Sequence, residues 1–429
     1  MRELQIPRIN ETIYHEQLDN GLNVFYYPKE DFEKTFAIFS TRYGSIDQAF
    51  TPLQSDEIIR VPDGIAHFLE HKMFEKEDGD VFQHFSERGA SANAFTSFTQ
   101  TAYLFSSTSD TEKNVETLLD FVQDPYFTEE TVEKEKGIIE QEIRMYDDQS
   151  DWRLFFGTLQ SMFENHPVRI DIAGTVDSIY TITHEDLYTC YETFYHPSNM
   201  SLFVIGNFSL DKMADLVQTN QSNKEFAPIE KIERDYGEEK DAVYKQKEII
   251  RMPVQTPKCM VGIKDKKELL QTDQLLKNEL VRELVTDMYF SKSGKYFEEL
   301  YDEGLVMDHL RLESYMEKTF GVTMIGGRTL KPEEFSERVK TMLLDLKDTT
   351  IAEDEFNRIK KRKYGELIRD FNDLEGTANQ IIHYHDLNVD YRDIFETLEN
   401  LTREDMSSVI SDWIDEDRMS VCMILPEEE

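Results

Sequence analysis

The chain has 429 residues and carries 86 acidic against 47 basic side chains, a formal charge of −39. That balance argues against nucleic acid or an anionic membrane as a partner, and fits either cationic peptides or a solvated acidic surface. That length suffices for two or three domains, and the 39% of hydrophobic residues is an ordinary globular figure rather than a disordered one. No apolar run approaches the roughly 20 residues that a membrane-spanning helix needs.

Cysteine usage adds a compartment. Cys190, Cys259 and Cys422 are few, odd in number and far apart, with no C-x-x-C. A disulfide framework is not expected, and a reducing, cytoplasmic setting is. Met1 to Pro7 lacks the apolar core of a secretory signal.

In chain order, residues 14–28 read as a hairpin turning at Asn20-Gly21, the favoured tight-turn dipeptide. Phe36 to Tyr43 reads as a strand, and a polar loop follows through Asp56. Pro62-Asp63-Gly64 then opens a helix, with Asp63 as its expected cap.

That helix carries His67-Phe68-Leu69-Glu70-His71, an H-x-x-E-H arrangement. His67 and His71 are four apart and share one helix face, and Glu70, three from His67, projects into the same space. Two neutral imidazoles on one face are a seat for a divalent metal, and imidazole suits zinc. A carboxylate beside them can take a proton from a water at the metal. A packing accident would also produce a His pair. It would not bring the glutamate, the apolar flanks and a carboxylate-rich helix downstream.

Val81 to Arg88 reads as a short helix ended by Gly89. From Ala90 to Phe105, small residues and threonines alternate with aromatics, giving two extended segments around a bend. An edge strand there would accept a peptide by strand addition, although spacing alone favours an ordinary sheet strand. Thr111 to Gln123 and Glu129 to Tyr146 are expected helices. In the second, Glu135 and Glu142 are seven apart and so lie two turns from each other on one face. A catalytic zinc needs a third protein ligand and an open position for water. One of these carboxylates suits that role and the other a hydrogen bond to a ligand histidine.

Trp152 to Phe163 continues as an aromatic helix. Trp152 and Phe155 share a face, for core packing by default and a substrate pocket as the sharper reading. Thr183 to Asp186 resembles a capping box before a helix ending near Tyr195, and Met200 to Gly206 is a strand. Thr219 to Asp241 is polar and poor in core residues, so it is the linker candidate. The division expected is a metal-binding α+β domain over 1–225 and a homologous domain without metal over 226–429.

The second half repeats the first. Thr183-His184-Glu185-Asp186-Leu187 recurs as Thr402-Arg403-Glu404-Asp405-Met406, and Met200 to Ile205 recurs as Met419 to Ile424. Both pairs stand 219 residues apart (402 − 183 and 419 − 200), with apolar matches at Ile179/Leu398, Ile182/Leu401 and Phe194/Trp413. A shared offset over a helix and its following strand indicates duplication. Strands are expected at 248–252, 260–263 and 320–325, and helices at 269–289, 331–346 and 353–371. No H-x-x-E-H recurs, and His383 and His385 read as structural or exposed.

The chain resembles the pitrilysin family of zinc peptidases, which includes insulin-degrading enzyme and the mitochondrial processing peptidases, and is similar to its short bacterial type. The likeness rests on H-x-x-E-H, on Gly89 to Thr96, on Glu135 with Glu142-Ile143, on His166-Pro167 and Gly174-Thr175, and on Phe194 to Met200. It implies that His67, His71 and Glu142 ligate Zn2+. It further implies that Glu70 is the general base and that Glu135 supports a ligand histidine. Asn93, Ala94 and Phe95 would lie where substrate backbone pairs, and Trp152 and Phe155 near the specificity pocket. The fold implied is two duplicated α+β halves, each a mostly antiparallel sheet packed with helices, making half of a clamshell. A homodimer or a heterodimer with a zinc-lacking paralogue would complete it.

One departure stands out. Active members carry Arg and Tyr in an L-R-x-x-x-x-L-x-Y segment of the second half. Here Tyr301 and Met307 hold those places in a shorter stretch. The expected activity is a zinc-dependent endopeptidase acting on peptides or short unfolded segments. The alternatives are a non-hydrolytic peptide-binding subunit of a paired peptidase and a zinc hydrolase of a modification pathway.

Overall fold

The computed structural model describes residues 1–6, 9–53, 55–77, 79–228, 231–270 and 272–427. The chain forms two compact units. The first takes Met1–Ile143, Ile170–Tyr236 and Asp370–Asp386, and the second takes Arg144–Arg169, Gly237–Arg369 and Leu387–Glu429.

The first unit is built on a seven-stranded sheet. Its strands run, edge to edge, Arg2–Ile6, Glu11–Gln17, Asn23–Pro28, Met200–Gly206, Thr35–Thr41, Thr101–Ser107 and Ser91–Thr96. Only the pair Asn23–Pro28 with Met200–Gly206 is parallel. Strands covered on both faces read as continuous apolar runs rather than alternations. Thr35–Thr41 and Met200–Gly206 are of this kind and are buried along their whole length. The expected hairpin is present: Tyr14 pairs with Tyr26, and Gly21 takes φ +91° in the turn. The two extended segments are also present, and Ser91–Thr96 is the outermost strand of the sheet.

The second unit carries a five-stranded sheet in the order Lys247–Met252, Met419–Pro426, Lys258–Lys264, Gly321–Arg328 and Arg311–Met316. Its pairing pattern repeats five strands of the first sheet, a parallel pair followed by antiparallel partners. The repeat is also visible residue by residue. Thr183 with Asp186 and Thr402 with Asp405 both form full capping boxes. The helices His184–Phe194 and Arg403–Trp413 then lead through a short 3-10 turn into the strands that begin at Met200 and Met419. The fold is thus α+β, with two like sheets, each packed with helices.

Each sheet is completed by a helix from a distant part of the chain. Ser150–Met162 belongs to the second unit and lies on its sheet: a Cβ on Gly157 would stand 2.7 Å from Cys422 Sγ, and one on Gly262 2.8 Å from Thr158. Leu374–Asp386 belongs to the first unit, where it packs on Met200–Gly206 and Thr35–Thr41. His385 of that helix meets Phe25 edge-on at 5.1 Å, a packing role.

Two expectations need correction. Asp63 does not cap the motif helix; the cap position is Gly64, with no side-chain cap bond. The helix expected over 81–88 is only Phe82–Ser86. The polar stretch 219–241 holds the passage from the first unit to the second, between Tyr236 and Gly237, and it is tied down on both sides. It begins inside the helix Leu210–Ser222. In the first unit Arg234 pairs with buried Asp47 at 2.9 Å. In the second, Glu239 accepts the backbone N–H groups of Glu164, Asn165 and His166 at 3.2, 2.7 and 2.8 Å. Residues 229 and 230 of that stretch lie outside the described ones.

Candidate metal centre

The motif helix Ile65–Lys72 is fixed at its start by a close approach of backbones. Gly64 has φ +86°, and a Cβ there would stand 2.3 Å from the Ala173 carbonyl oxygen. Gly174 has φ +75°, and its Cβ would stand 2.5 Å from the Asp63 carbonyl oxygen. Only glycine fits such a place without strain. Ser178 Oγ adds a hydrogen bond to that same Asp63 oxygen at 2.9 Å. Beyond this anchor Ile65, Ala66, Phe68 and Leu69 face the core, which turns His67 and His71 to the other side.

The second helix, Glu129–Asp147, buries the stripe Val132, Lys136, Ile139 and Ile143. Glu135 and Glu142 each precede a member of that stripe. They therefore sit at its margin, half-buried, with side chains 12% and 24% exposed.

The two helices bring the donors together. One ligand atom each from His67, His71 and Glu142 lie within 4.8 Å of one another. His67 Nε2 is 3.7 Å from Glu142 Oε1, and His71 Nε2 is 3.5 Å from Glu142 Oε2. The rings of His67 and His71 stand 4.6 Å apart. On its far side His71 Nδ1 meets Glu135 Oε1 at 3.1 Å. Glu135 thus accepts from Nδ1–H and leaves the Nε2 lone pair free.

Charge and burial shape these groups. Burial, then the neighbouring His71, pushes His67 down to about 3, so its ring is neutral across the physiological range. Burial opposes a charge on His71 as well, but the Glu135 hydrogen bond and the charges of Glu70, Glu142 and Glu135 outweigh it and raise that ring. Burial raises Glu70, against the pull of His71 and of the Thr96 hydroxyl. Glu135 is lowered, because its bond to His71 and the charges of His71, Lys72 and Lys134 exceed the cost of burial.

The donor set fits zinc. Separations of 3.5 and 3.7 Å are too long for hydrogen bonds. They approach the ~3.3–3.4 Å spacing of ligands around a tetrahedral ion held at about 2.0–2.1 Å. Three carboxylates around one protonable ring also form a set that a cation relieves, and binding there would release the proton from His71.

The other expected residues are placed as follows. Asn93, Ala94 and Phe95 lie on the edge strand, Asn93 exposed and the other two half-buried. Trp152 and Phe155 lie in the second unit on Ser150–Met162. Trp152 stacks on Tyr146 at 4.6 Å, and Phe155 is buried against Phe156 and Tyr315.

Sequence reasoning gave no role to three residues around Glu70. Thr96 Oγ1 donates to Glu70 Oε2 at 2.8 Å. The buried hydroxyls of Tyr103 and Tyr195 bond each other at 2.8 Å. Burial, their mutual contact and then the charge of Glu70 raise Tyr103. The alternation along Ser91–Thr96 puts Thr96 on the same side of its strand as Ala94, and that period was the available signal.

Comparison with known proteins gives the family. Residues 61–176 match the model of the insulinase family (peptidase family M16), and residues 181–363 match that of the peptidase M16 inactive domain. An uncharacterized zinc protease of Bacillus subtilis, YmfH, is 49% identical over 426 residues, covering 99% of each protein. A crystal structure of an M16-like peptidase from Alicyclobacillus acidocaldarius superposes with a TM-score of 0.92 at 37% identity, over 99% of this chain and 100% of that one. Pitrilysin shares the fold, with a TM-score of 0.75 at 16% identity, over all of this chain and 47% of its own. With relatives so alike over the whole length and two long stretches matched by its models, the chain belongs to the insulinase family of peptidases, family M16.

Proposed function

We propose that the chain is a zinc-dependent endopeptidase that hydrolyses peptides or short unfolded segments. The observation that carries this reading is the convergence of His67, His71 and Glu142, with buried Glu70 one residue before His71. His67, His71 and Glu142 would hold the ion, and Glu135 would keep the His71 ring in its ligating tautomer. A bound zinc supplies Lewis acidity, bringing the pKa of a water from 15.7 towards about 7 and polarising a carbonyl. Glu70 takes the proton of the attacking water and returns it to the departing amine. Backbone groups at Asn93, Ala94 and Phe95, on the outer strand, pair with the extended substrate. Trp152 and Phe155 are proposed to shape side-chain preference.

The acting half is 1–225 and the half 226–429 its metal-free duplicate. Tyr301 and Met307, where family members carry Arg and Tyr, are 55% and 46% exposed. This observation favours a chain that works best beside a partner supplying those groups, and a cytoplasmic protein is the expected setting. The test is metal content with cleavage of a peptide library. Zinc at one ion per chain, cleavage abolished by a chelator, and a Glu70→Gln variant that keeps zinc but not turnover are expected. Full turnover by Glu70→Gln would remove Glu70 from the mechanism. Full turnover of the chain alone, unchanged by a partner, would remove the pairing.

A further inference from the structure

We infer that Thr96 is a positioning residue whose hydroxyl aims the Glu70 carboxylate, an inference that rests on the peptidase reading above. Thr96 closes the edge strand Ser91–Thr96, opposite Thr101 in the ladder. Its Oγ1 donates to Glu70 Oε2 at 2.8 Å. Glu70 is 8% exposed, so its carboxylate has little water to orient it. Buried polar groups keep the partners the protein provides. Among the described residues, Thr96 is the side chain that hydrogen-bonds Glu70, while the nearby hydroxyls of Tyr103 and Tyr195 share a bond with each other.

The choice of threonine matters. A glutamate side chain has three torsions, and a bond at its tip to a strand residue removes most of that freedom. Threonine is β-branched and stiff at its first torsion, so the donor itself is fixed. The bond occupies Oε2 and leaves Oε1 to meet the proton of the attacking water. A displacement near 1 Å at such a point can cost about 10²-fold in rate. Thr96 also shares its strand with the backbone proposed to pair with substrate, so one strand both seats the peptide and aims the base.

The experiment compares Thr96→Val, of the same shape without the donor, with Thr96→Ser, which keeps it, in the full zinc-loaded chain. Thr96→Val should lower kcat by about 10- to 100-fold, up to the ~10²-fold lower end of what general-base catalysis contributes, because the base is misaimed rather than removed. Its KM and its zinc affinity by chelator competition should stay near wild type, and Thr96→Ser, which keeps the donor on a freer first torsion, should recover most of the lost kcat. A readout without turnover is the infrared carboxylate stretch of Glu70, found by difference against Glu70→Gln in zinc-free protein. It should move in Thr96→Val and not in Thr96→Ser. Wild-type kcat in Thr96→Val, or a Thr96→Ser variant as slow as Thr96→Val, overturns the inference. If wild type cleaves and Glu70→Gln does not, that failure is confined to Thr96. If wild type cleaves no peptide either alone or beside a zinc-lacking paralogue, the peptidase reading falls and takes this inference with it.

Discussion

Replacing Glu135 with Ala tests the metal centre without touching a proposed ligand. Glu135 meets His71 Nδ1 at 3.1 Å and is 12% exposed, so few waters stand ready to replace it. Its loss frees the His71 ring to rotate and to exchange tautomers. Carboxylates in this role are worth roughly 10- to 100-fold in metal affinity, or about 1.4–2.7 kcal/mol. The effect can be read as stability. At zinc 100 times the wild-type Kd, binding stabilises the folded chain by about 2.7 kcal/mol. A tenfold weaker site at the same zinc concentration leaves about 1.4 kcal/mol, and a hundredfold weaker one about 0.4 kcal/mol. The assays are chelator competition for Kd and thermal unfolding with and without zinc. The zinc-dependent rise in Tm should shrink while the zinc-free Tm changes less. A Kd within twofold of wild type, with His71→Ala abolishing binding in the same assay, would refute the role given to Glu135.

Two further outcomes concern the scaffold. Gly64→Ala must place a Cβ 2.3 Å from a carbonyl oxygen at φ +86°. The left-handed conformation alone costs roughly 1–2 kcal/mol. Urea unfolding should show a loss above that, with zinc binding weakened as the helix start shifts; a change under ~0.5 kcal/mol would show that the two backbones yield. His166, 2% exposed, is pushed down to about 4 by burial. Its folded value lies below the ~6.5 of an unfolded histidine, so the unfolded chain takes up the proton first. Stability is then lost as pH falls from about 6.5 towards 4, by up to about 3 kcal/mol. Urea midpoints across that range should fall less steeply in His166→Gln; parallel profiles would remove His166 as a cause.

The convergence of His67, His71 and Glu142 was legible because these residues are set at helical spacing. His67 and His71 at four, and Glu135 and Glu142 at seven, need only the helix to form. The duplication was legible because Thr183 and Thr402 carry the same capping box before the same helix and strand. What failed was set by contacts between distant segments. Asp63 looks like a cap on local grounds, yet the approach of Gly174 to its carbonyl makes Gly64 the turning point. The charged stretch around Arg234 marks where the chain passes from one unit to the other, but does not show that Asp47, 187 residues earlier, holds it. The apolar face of Ser150–Met162 announces that it needs a sheet, but nothing in its own residues says which one.

That last point governs how the protein can be cut or made. A fragment ending at residue 225 would carry Ser150–Met162 without the strands it covers. It would also lack Leu374–Asp386, baring apolar surface on Met200–Gly206 and Thr35–Thr41. During synthesis the amino-terminal sheet must wait, one side uncovered, until residue 386 has left the ribosome. The amino-terminal unit therefore keeps an exposed apolar face until most of the second unit has also been made.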